Sequence, residues 1–395
     1  MDPRTNPFAP GAGTPPPELA GRDGLVERAQ VALARNRRGL PGRGLLLSGM
    51  RGVGKTVLLN RFALEAEAEG MPTCAIEAPE ARSLPSVLAP ALREPLLRLD
   101  RRKAAGRKAG RALRALGSFV KSLRVSYGEL QFGLDLETEP GVADTGDLEI
   151  DLSALLMAVG EAAGERDTAF VLLVDELQYV AELELSALLV ALHRCAQRRL
   201  PVAFFGAGLP QMAGRMGRAK SYAERMFDFV EVGALNEAAA RVALEVPAEA
   251  QGAGFTAAAL HAVYRRTEGY PYFLQTWGKH AWDVADSSPI SKADVDTATG
   301  LAIAELDASF FRVRLDRLTP SERTYLRAMA EMGPGPHRSG EIAAALGRKV
   351  TSVAPTRAKL IAKGVVYSPS HGLTAFTVPW FDAFIRRTVA AGEAG

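Results

Sequence analysis

Hydrophobic positions change their period several times along the chain, and each change marks an element. The first 18 residues are rich in Pro and Gly and carry no periodicity, which predicts an extended segment running over the surface. Over residues 25–38 apolar side chains recur at helical spacing among Arg and Ala, and Gly39 and Pro41 close that helix. Residues 44–48 form a continuous apolar run of strand length, and a helical pattern follows to about residue 69. Further short apolar runs lie at 72–78, 170–174, 201–206 and 229–232, with helical stretches at 84–99, 152–164 and 182–199. Strands that alternate with helices predict a parallel sheet covered on both faces, hence an α/β core. Beyond residue 232 the pattern turns wholly helical.

From Thr319 the rhythm changes again. Thr319 reads as a helix cap with Pro320 at the first helical position and Glu322 completing a capping box. Ser339 is expected to cap a second helix that ends at Gly347, and a third spans 351–362 with Pro355 early enough to be tolerated. The stretch GVVYSPSHGLTAFTVP then alternates like a hairpin. Three helices and a hairpin are the order of a winged helix-turn-helix. The expected organisation is therefore an extended segment at 1–20, an α/β core at 21–235 with an insertion at about 100–147, a helical lid at 236–305, and a winged-helix domain at 306–395.

The chemistry concentrates where the first apolar strand meets its helix. Gly49-Met50-Arg51-Gly52-Val53-Gly54-Lys55-Thr56, with Val57 opening the helix, is G-x-x-x-x-G-K-T in a strand-loop-helix context. This is the phosphate-binding P-loop pattern. Its glycines let backbone N–H groups turn inward around phosphate oxygens, and the helix adds its positive end. Lys55 would reach the β- and γ-phosphates, and the Thr56 hydroxyl would ligate Mg2+. The apolar strand at 170–174 runs into Asp175-Glu176, where strand ends face ligand in open α/β sheets. Asp175 is expected to bind Mg2+ through water and Glu176 to act as general base.

Composition narrows the rest. A chain of 395 residues with 47% hydrophobic and 24% charged residues is expected to form two or three packed domains rather than remain disordered. A net charge of only +3 requires any basic partner surface to be local. Two such places exist. Residues 101–124 carry nine basic residues and no acid, followed by the alternating VSYGELQFGLDLE, and either cover the domain as a solvated helix or contact a polyanion. Between Ile342 and Phe381 there is no acid, while Arg348, Lys349, Arg357, Lys359 and Lys363 all occur there as candidate DNA contacts. Cys74 and Cys195 show neither pairing nor metal-ligand spacing, and read as reduced core thiols. With no signal pattern and no membrane-length apolar run, the expectation is a cytoplasmic protein without a membrane partner.

This order of motifs resembles the AAA+ and STAND branch of P-loop ATPases, particularly the archaeal-type and origin-recognition-like group, over nearly the whole chain. The resemblance implies ATP and Mg2+ as cofactors and ATP hydrolysis as the activity. LAGRD at 19–23 resembles the family's motif before the P-loop and points to Gly21 and Arg22 on the adenine side. SYAERMFDF resembles the segment carrying the arginine finger, which implies that role for Arg225. EGYPYFLQ is similar to the G-x-P motif of STAND lids, which points to Gly269 and Pro271 near the base. Two departures stand out. The fourth strand ends in Phe205-Gly206-Ala207-Gly208 where these families usually carry a polar residue, with Gln211 only after a proline, and no arginine follows Pro271 in the lid helix.

The expected function is thus an Mg-ATP-dependent switch or remodeller acting on double-stranded DNA through its winged helix, with homo-oligomerisation left open. The alternative is a signalling or defence ATPase whose winged helix and basic insertion bind protein.

Overall fold

A computed structural model of the chain describes every residue except 12, 41, 81, 102–106, 128–136 and 393–395. Helix α1 (Asp23–Arg37) leads into β1 (Gly44–Ser48), α2 (Lys55–Ala68), β2 (Thr73–Glu77), α3 (Leu84–Arg101), α4 (Arg107–Tyr127) and α5 (Leu148–Glu165). Then come β3 (Phe170–Asp175), α6 (Glu182–Gln197), β4 (Val202–Gly208), the short α7 (Met212–Ala219) and α8 (Ala223–Met226), and β5 (Phe227–Glu231). The strands form one parallel sheet in the order β2-β3-β4-β1-β5.

Alternation along the strands builds two cores. Leu45, Leu47, Val171, Leu173 and Phe205 pack with Leu33, Leu58 and Phe62 of α1 and α2. Leu46, Phe170, Leu172, Val174 and Phe204 face the other way, against buried residues of α3, α4, α5 and α6. Because both faces are covered, the strands read as unbroken apolar runs, and β3 is buried at all six positions. Gly44 is required by the close approach of β1 to β4, since a Cβ there would lie 1.8 Å from the Phe204 carbonyl oxygen.

Of the basic stretch at 101–124, Arg101 ends α3 and residues 107–124 belong to the amphipathic α4. Ala112, Leu116, Phe119 and Leu123 of α4 are buried, and Ser122 donates to the buried Asp151 of α5 at 2.8 Å. The expected lack of acidic interleaving holds only in sequence. Arg111 pairs with Glu139 and Glu161, and Arg114 with Glu139, so acids brought from elsewhere balance part of the charge. Of the alternating VSYGELQFGLDLE, the first three residues complete α4 rather than a strand, and 128–136 lie outside the described residues.

Four helices follow the sheet: α9 (Glu237–Ala250), α10 (Ala257–Thr267), α11 (Pro271–Val284) and α12 (Lys292–Glu305). A π-helical turn, Leu306–Phe311, and the short α13 (Arg312–Asp316) lead to α14 (Pro320–Glu331), β6 (His337–Arg338), α15 (Ser339–Ala345), α16 (Val350–Ala362), β7 (Val366–Tyr367), β8 (Leu373–Phe376) and α17 (Phe381–Gly392). The last three strands pair antiparallel in the order β6-β8-β7. Thr319 caps α14, with the Glu322 carboxylate accepting the Thr319 N–H at 2.8 Å. Ser339 does not cap α15 but is its first residue, and its hydroxyl donates to the Gly372 carbonyl at 3.0 Å, tying α15 to the β7–β8 loop. Aromatic rings join this C-terminal part to the helices before it. Trp380 lies 5.1 Å from Phe273 and 5.5 Å from Trp277, and Phe311 lies 5.3 Å from Phe384.

The first residues are extended apart from a 3-10 turn at Pro3–Thr5, and they are not merely superficial. Phe8 is buried against Gly278 and Phe255, Asn6 donates to the Lys279 carbonyl at 3.0 Å, and the Trp282 indole donates to the Asp2 carbonyl at 2.9 Å. A proline-rich strap thereby lies along α11, because one buried aromatic ring contributes about 2 kcal/mol of transfer free energy that a periodicity search does not register. Among the described residues no helix is long and apolar enough to cross a membrane.

Candidate nucleotide site

Residues 49–56 bend between the end of β1 and the first turn of α2. Gly52 and Gly54 adopt φ of +86° and +94°, values that favour glycine, and Gly54 stands at the N-cap of α2. A side chain at Gly52 would press on Tyr270 and on the Cβ of Tyr272, 3.2 Å away, so the loop and the start of α11 are in close register. The Gly52 carbonyl accepts the Tyr272 N–H at 3.3 Å. Lys55 is buried, and its ammonium donates to the Gly49 and Met50 carbonyls, each at 2.8 Å. Burial pulls it down to about 8, although Glu176 and Asp175 favour its charge.

The end of β3 arrives two strands away, and the sheet brings it to the same place. Thr56 donates to Asp175 Oδ2 at 2.5 Å, while Asp175 Oδ1 accepts the Glu176 N–H at 2.7 Å. Glu176 takes φ +51°, which turns its side chain out of the strand direction. Its carboxylate meets the Gln178 amide and lies 3.9 Å from the Arg51 guanidinium. Gln178 also accepts the Leu209 N–H at 3.1 Å, so it links the end of β4 to Glu176. Gln178 thus sets a polar side chain against the end of β4, which carries none of its own, while the Gln211 side-chain oxygen is buried without a hydrogen-bond partner.

A cavity of about 320 Å³ opens between the P-loop, the start of α11 and the N-terminal strap. Arg51, Gly52, Val53, Gly54, Lys55, Thr56, Val57, Glu176, Arg22 and Pro271 line it. The strap contributes Ala9, Pro10, Gly13 and Thr14, a wall that the sequence reading did not foresee. Arg314 of α13 also faces the cavity, stacked 4.0 Å over the Phe310 ring. Burial and the neighbouring Arg51 charge lower it to about 10. Arg314 enters from beyond α12 rather than from the helix after Pro271, so sequence order concealed it.

The donor set fits a magnesium-bound nucleotide. Among the described residues no group of three His, Cys, Asp or Glu could hold a metal, so an ion at Thr56 and Asp175 needs phosphate and water oxygens to complete its shell. A cavity of this volume, lined by the cations Arg51, Lys55 and Arg314 and by Tyr272, Leu274 and Phe310, suits phosphates and a flat base.

Several expected residues act differently. Arg22 lines the cavity, with its guanidinium donating to the Gly233 carbonyl, whereas Gly21 is not in the lining and packs against Ala239 with φ +67°. Gly269 is structural too: its carbonyl accepts the Leu235 N–H at 2.8 Å, and a Cβ there would lie 1.9 Å from the Leu235 oxygen. Arg225, on α8, lines a separate cavity with Arg43, Arg199 and Tyr222, beside the N-terminal ends of β1, β4 and β5. That is the sheet edge opposite the P-loop, so Arg225 does not reach this chain's own nucleotide cavity.

The basic cluster near the C-terminus divides. Arg357 is held inward by Thr374 at 2.7 Å and by Ser368 and the Leu373 carbonyl, each at 2.9 Å. Lys363 pairs with Glu322 at 2.7 Å and donates to the Arg317 carbonyl. These two are therefore braces within the C-terminal part rather than free phosphate contacts. Arg348, Lys349 and Lys359 are exposed.

Comparison with known proteins bears on the fold and on the first half of the chain. The family described as AAA ATPase domain matches residues 18–205, and a domain of unknown function, DUF8462, matches 308–385. No curated protein sequence matches the chain. Among solved structures, the Walker-type ATPase PABY2304 of Pyrococcus abyssi is 15% identical with a TM-score of 0.55, covering 94% of this chain and 97% of its own. The Aeropyrum pernix ORC1 protein in complex with DNA is 16% identical with a TM-score of 0.48, covering 96% of each chain. The RuvB Holliday junction branch migration motor of Thermotoga maritima is 15% identical with a TM-score of 0.46, covering 90% of this chain and 92% of its own. The matched family spans the P-loop, the Asp175-Glu176 pair, β1 to β3 and the first four residues of β4, so residues 18–205 carry an AAA ATPase domain.

Proposed function

We propose that this ATPase is an Mg-ATP-dependent switch of the STAND-like kind, in which Lys55 holds the β- and γ-phosphates, Thr56 and Asp175 hold the ion, and Glu176 activates the attacking water. The observation that carries this reading is the 2.5 Å approach of Thr56 to Asp175, with the Lys55 ammonium beside them in a cavity of nucleotide size. Bound Mg2+ would supply charge stabilisation at the transferring phosphoryl group. Lys55 would leave the Gly49 and Met50 carbonyls for phosphate oxygens, and Gln178 would hold Glu176 near the end of β4. Replacing Glu176 by Gln is expected to preserve ATP binding and abolish turnover. Equal hydrolysis by variant and parent would remove Glu176 from the base role.

The C-terminal part is proposed to be a winged helix that binds duplex DNA through Arg348, Lys349 and Lys359. Support comes from their exposure and from the lack of any acid between Ile342 and Phe381. Phosphate contacts release counterions, so three of them predict a slope of about −2 to −3 in log affinity against log salt. Affinity that does not change with salt would favour a protein partner instead, a reading supported by Arg357 and Lys363 being committed internally. Arg225, on the opposite sheet edge, is proposed to serve a neighbouring copy of the chain, which would make specific activity rise with protein concentration.

A further inference from the structure

Arg51 occupies the second variable position of the P-loop, yet its contacts lead away from the phosphate cradle. Its backbone N–H donates to the Thr377 carbonyl, 3.3 Å away, just after β8. Its guanidinium donates to the Tyr179 hydroxyl and stands 3.9 Å from Glu176 Oε2. Behind the guanidinium lies Gly364, buried and at φ +64°, where a Cβ would come within 2.7 Å of Arg51 Nη2. Lys55, the other P-loop cation, is bound to carbonyls of its own loop. Arg51 therefore joins three parts of the molecule: the loop, the acidic end of β3, and the C-terminal part.

We propose that Arg51 is a positioning residue for Glu176 and that Gly364 and Thr377 form its seat, so that the C-terminal part completes the ATPase site. A general base must present one fixed oxygen to the attacking water. A free arginine side chain has about 2 kcal/mol of rotamer entropy, which would blur that geometry. The Tyr179 hydroxyl and the buried Gly364 backbone restrict it instead, while the Thr377 carbonyl holds the Arg51 main chain. Arginine suits the place because it stays charged at every working pH, and its Nη2 faces both the Tyr179 hydroxyl and Glu176 Oε2. At 3.9 Å the pair makes no direct hydrogen bond, so its consequence should appear in rate rather than stability.

The proposal rests on Glu176 acting as base, and the experiment separates the two. ATP hydrolysis at saturation and ATP affinity by calorimetry would be measured on the full chain for R51A, R51K, Y179F, G364A and E176Q. Loss of positioning is expected to lower kcat of R51A at least about tenfold while Kd stays within about twofold. R51K should recover only part of the rate, since the charge remains but the planar guanidinium that packs against Gly364 does not. Y179F and G364A should lower kcat in the same sense with affinity retained. The R51A change placed on E176Q should add little, because its effect runs through Glu176. An R51A protein that loses affinity in proportion to rate overturns the proposal and makes Arg51 a phosphate ligand. Unchanged kcat in R51A overturns it outright, and unchanged kcat in a folded G364A overturns the seat. Y179F adds no atom and remains decisive if G364A does not fold. An E176Q protein that hydrolyses ATP like the parent overturns the base assignment itself.

Discussion

At the scale of single residues, Lys55 shows how burial sets up function. Its ammonium is down at about 8 from an ordinary 10.5 because it is buried. The unfolded chain then holds one more proton between these two values. The cost of burying the charge is therefore fully present below pH 8 and fades as pH rises toward 10.5. Bound phosphates would restore the charge, so ATP binding at pH 8 to 9 should take up protons and weaken with rising pH. Calorimetry in two buffers of different ionisation enthalpy would read this, and identical heats would argue against Lys55 as the phosphate contact. Lys55→Ala should lower ATP affinity roughly 100-fold, the scale of a lost charge-assisted pair of hydrogen bonds. The thiols of Cys74 and Cys195 are pushed up to about 12 by burial, so thiol reagents should reach them only on unfolding.

At the scale of elements, the position of α11 depends on a close backbone contact that no side chain can make. Gly269 sits at φ +71° with Leu235 against it, and α11 begins two residues later. Gly269→Ala should cost about 2 kcal/mol or more through strain and clash, read as a lower unfolding midpoint, and should weaken ATP binding as Pro271 and Tyr272 shift. A variant as stable as the parent would mean that Leu235 yields freely. The elements legible in sequence were those with one dominant signal. β1, α2 and β3 have unbroken apolar runs or strong loop chemistry, and Thr319 with Glu322 marks α14 directly. Ser339 misled because its hydroxyl serves the Gly372 carbonyl across space, a demand that helix-capping rules do not contain. The two-residue β6 is too short to carry any period.

At the scale of the whole molecule, the aromatic contacts of Phe273, Trp277, Phe311 and Trp380 bind α11 to the C-terminal part. If α11 moves when ATP binds, that part should move with it, and DNA affinity should change with nucleotide. Linkage makes the effect reciprocal, with usual couplings of about 1 to 3 kcal/mol. DNA binding by the E176Q variant with ATP, with ADP and without nucleotide, at one salt concentration, would measure it. Three equal affinities would separate the two ends of the molecule. Removing the side chain of Arg348 should weaken DNA binding and reduce the salt slope by about 1.

The amino-acid sequence by itself determined the parallel sheet, the P-loop and the acid pair, because each depends on near neighbours in the chain: period, glycine freedom, and a strand that ends in Asp175-Glu176. Tertiary structure decided the rest of the site. It brought Thr56 to Asp175, Arg314 and the N-terminal strap to the cavity, and Gln178 to the end of β4. It also tied Arg357 and Lys363 into hydrogen bonds within the C-terminal part and set Arg225 at the far end of the sheet. The physical reason is common to all of these. Whether a charged side chain is free, braced or buried depends on which remote groups the packed cores bring within about 3 to 4 Å of it, the reach of a hydrogen bond or a close ion pair.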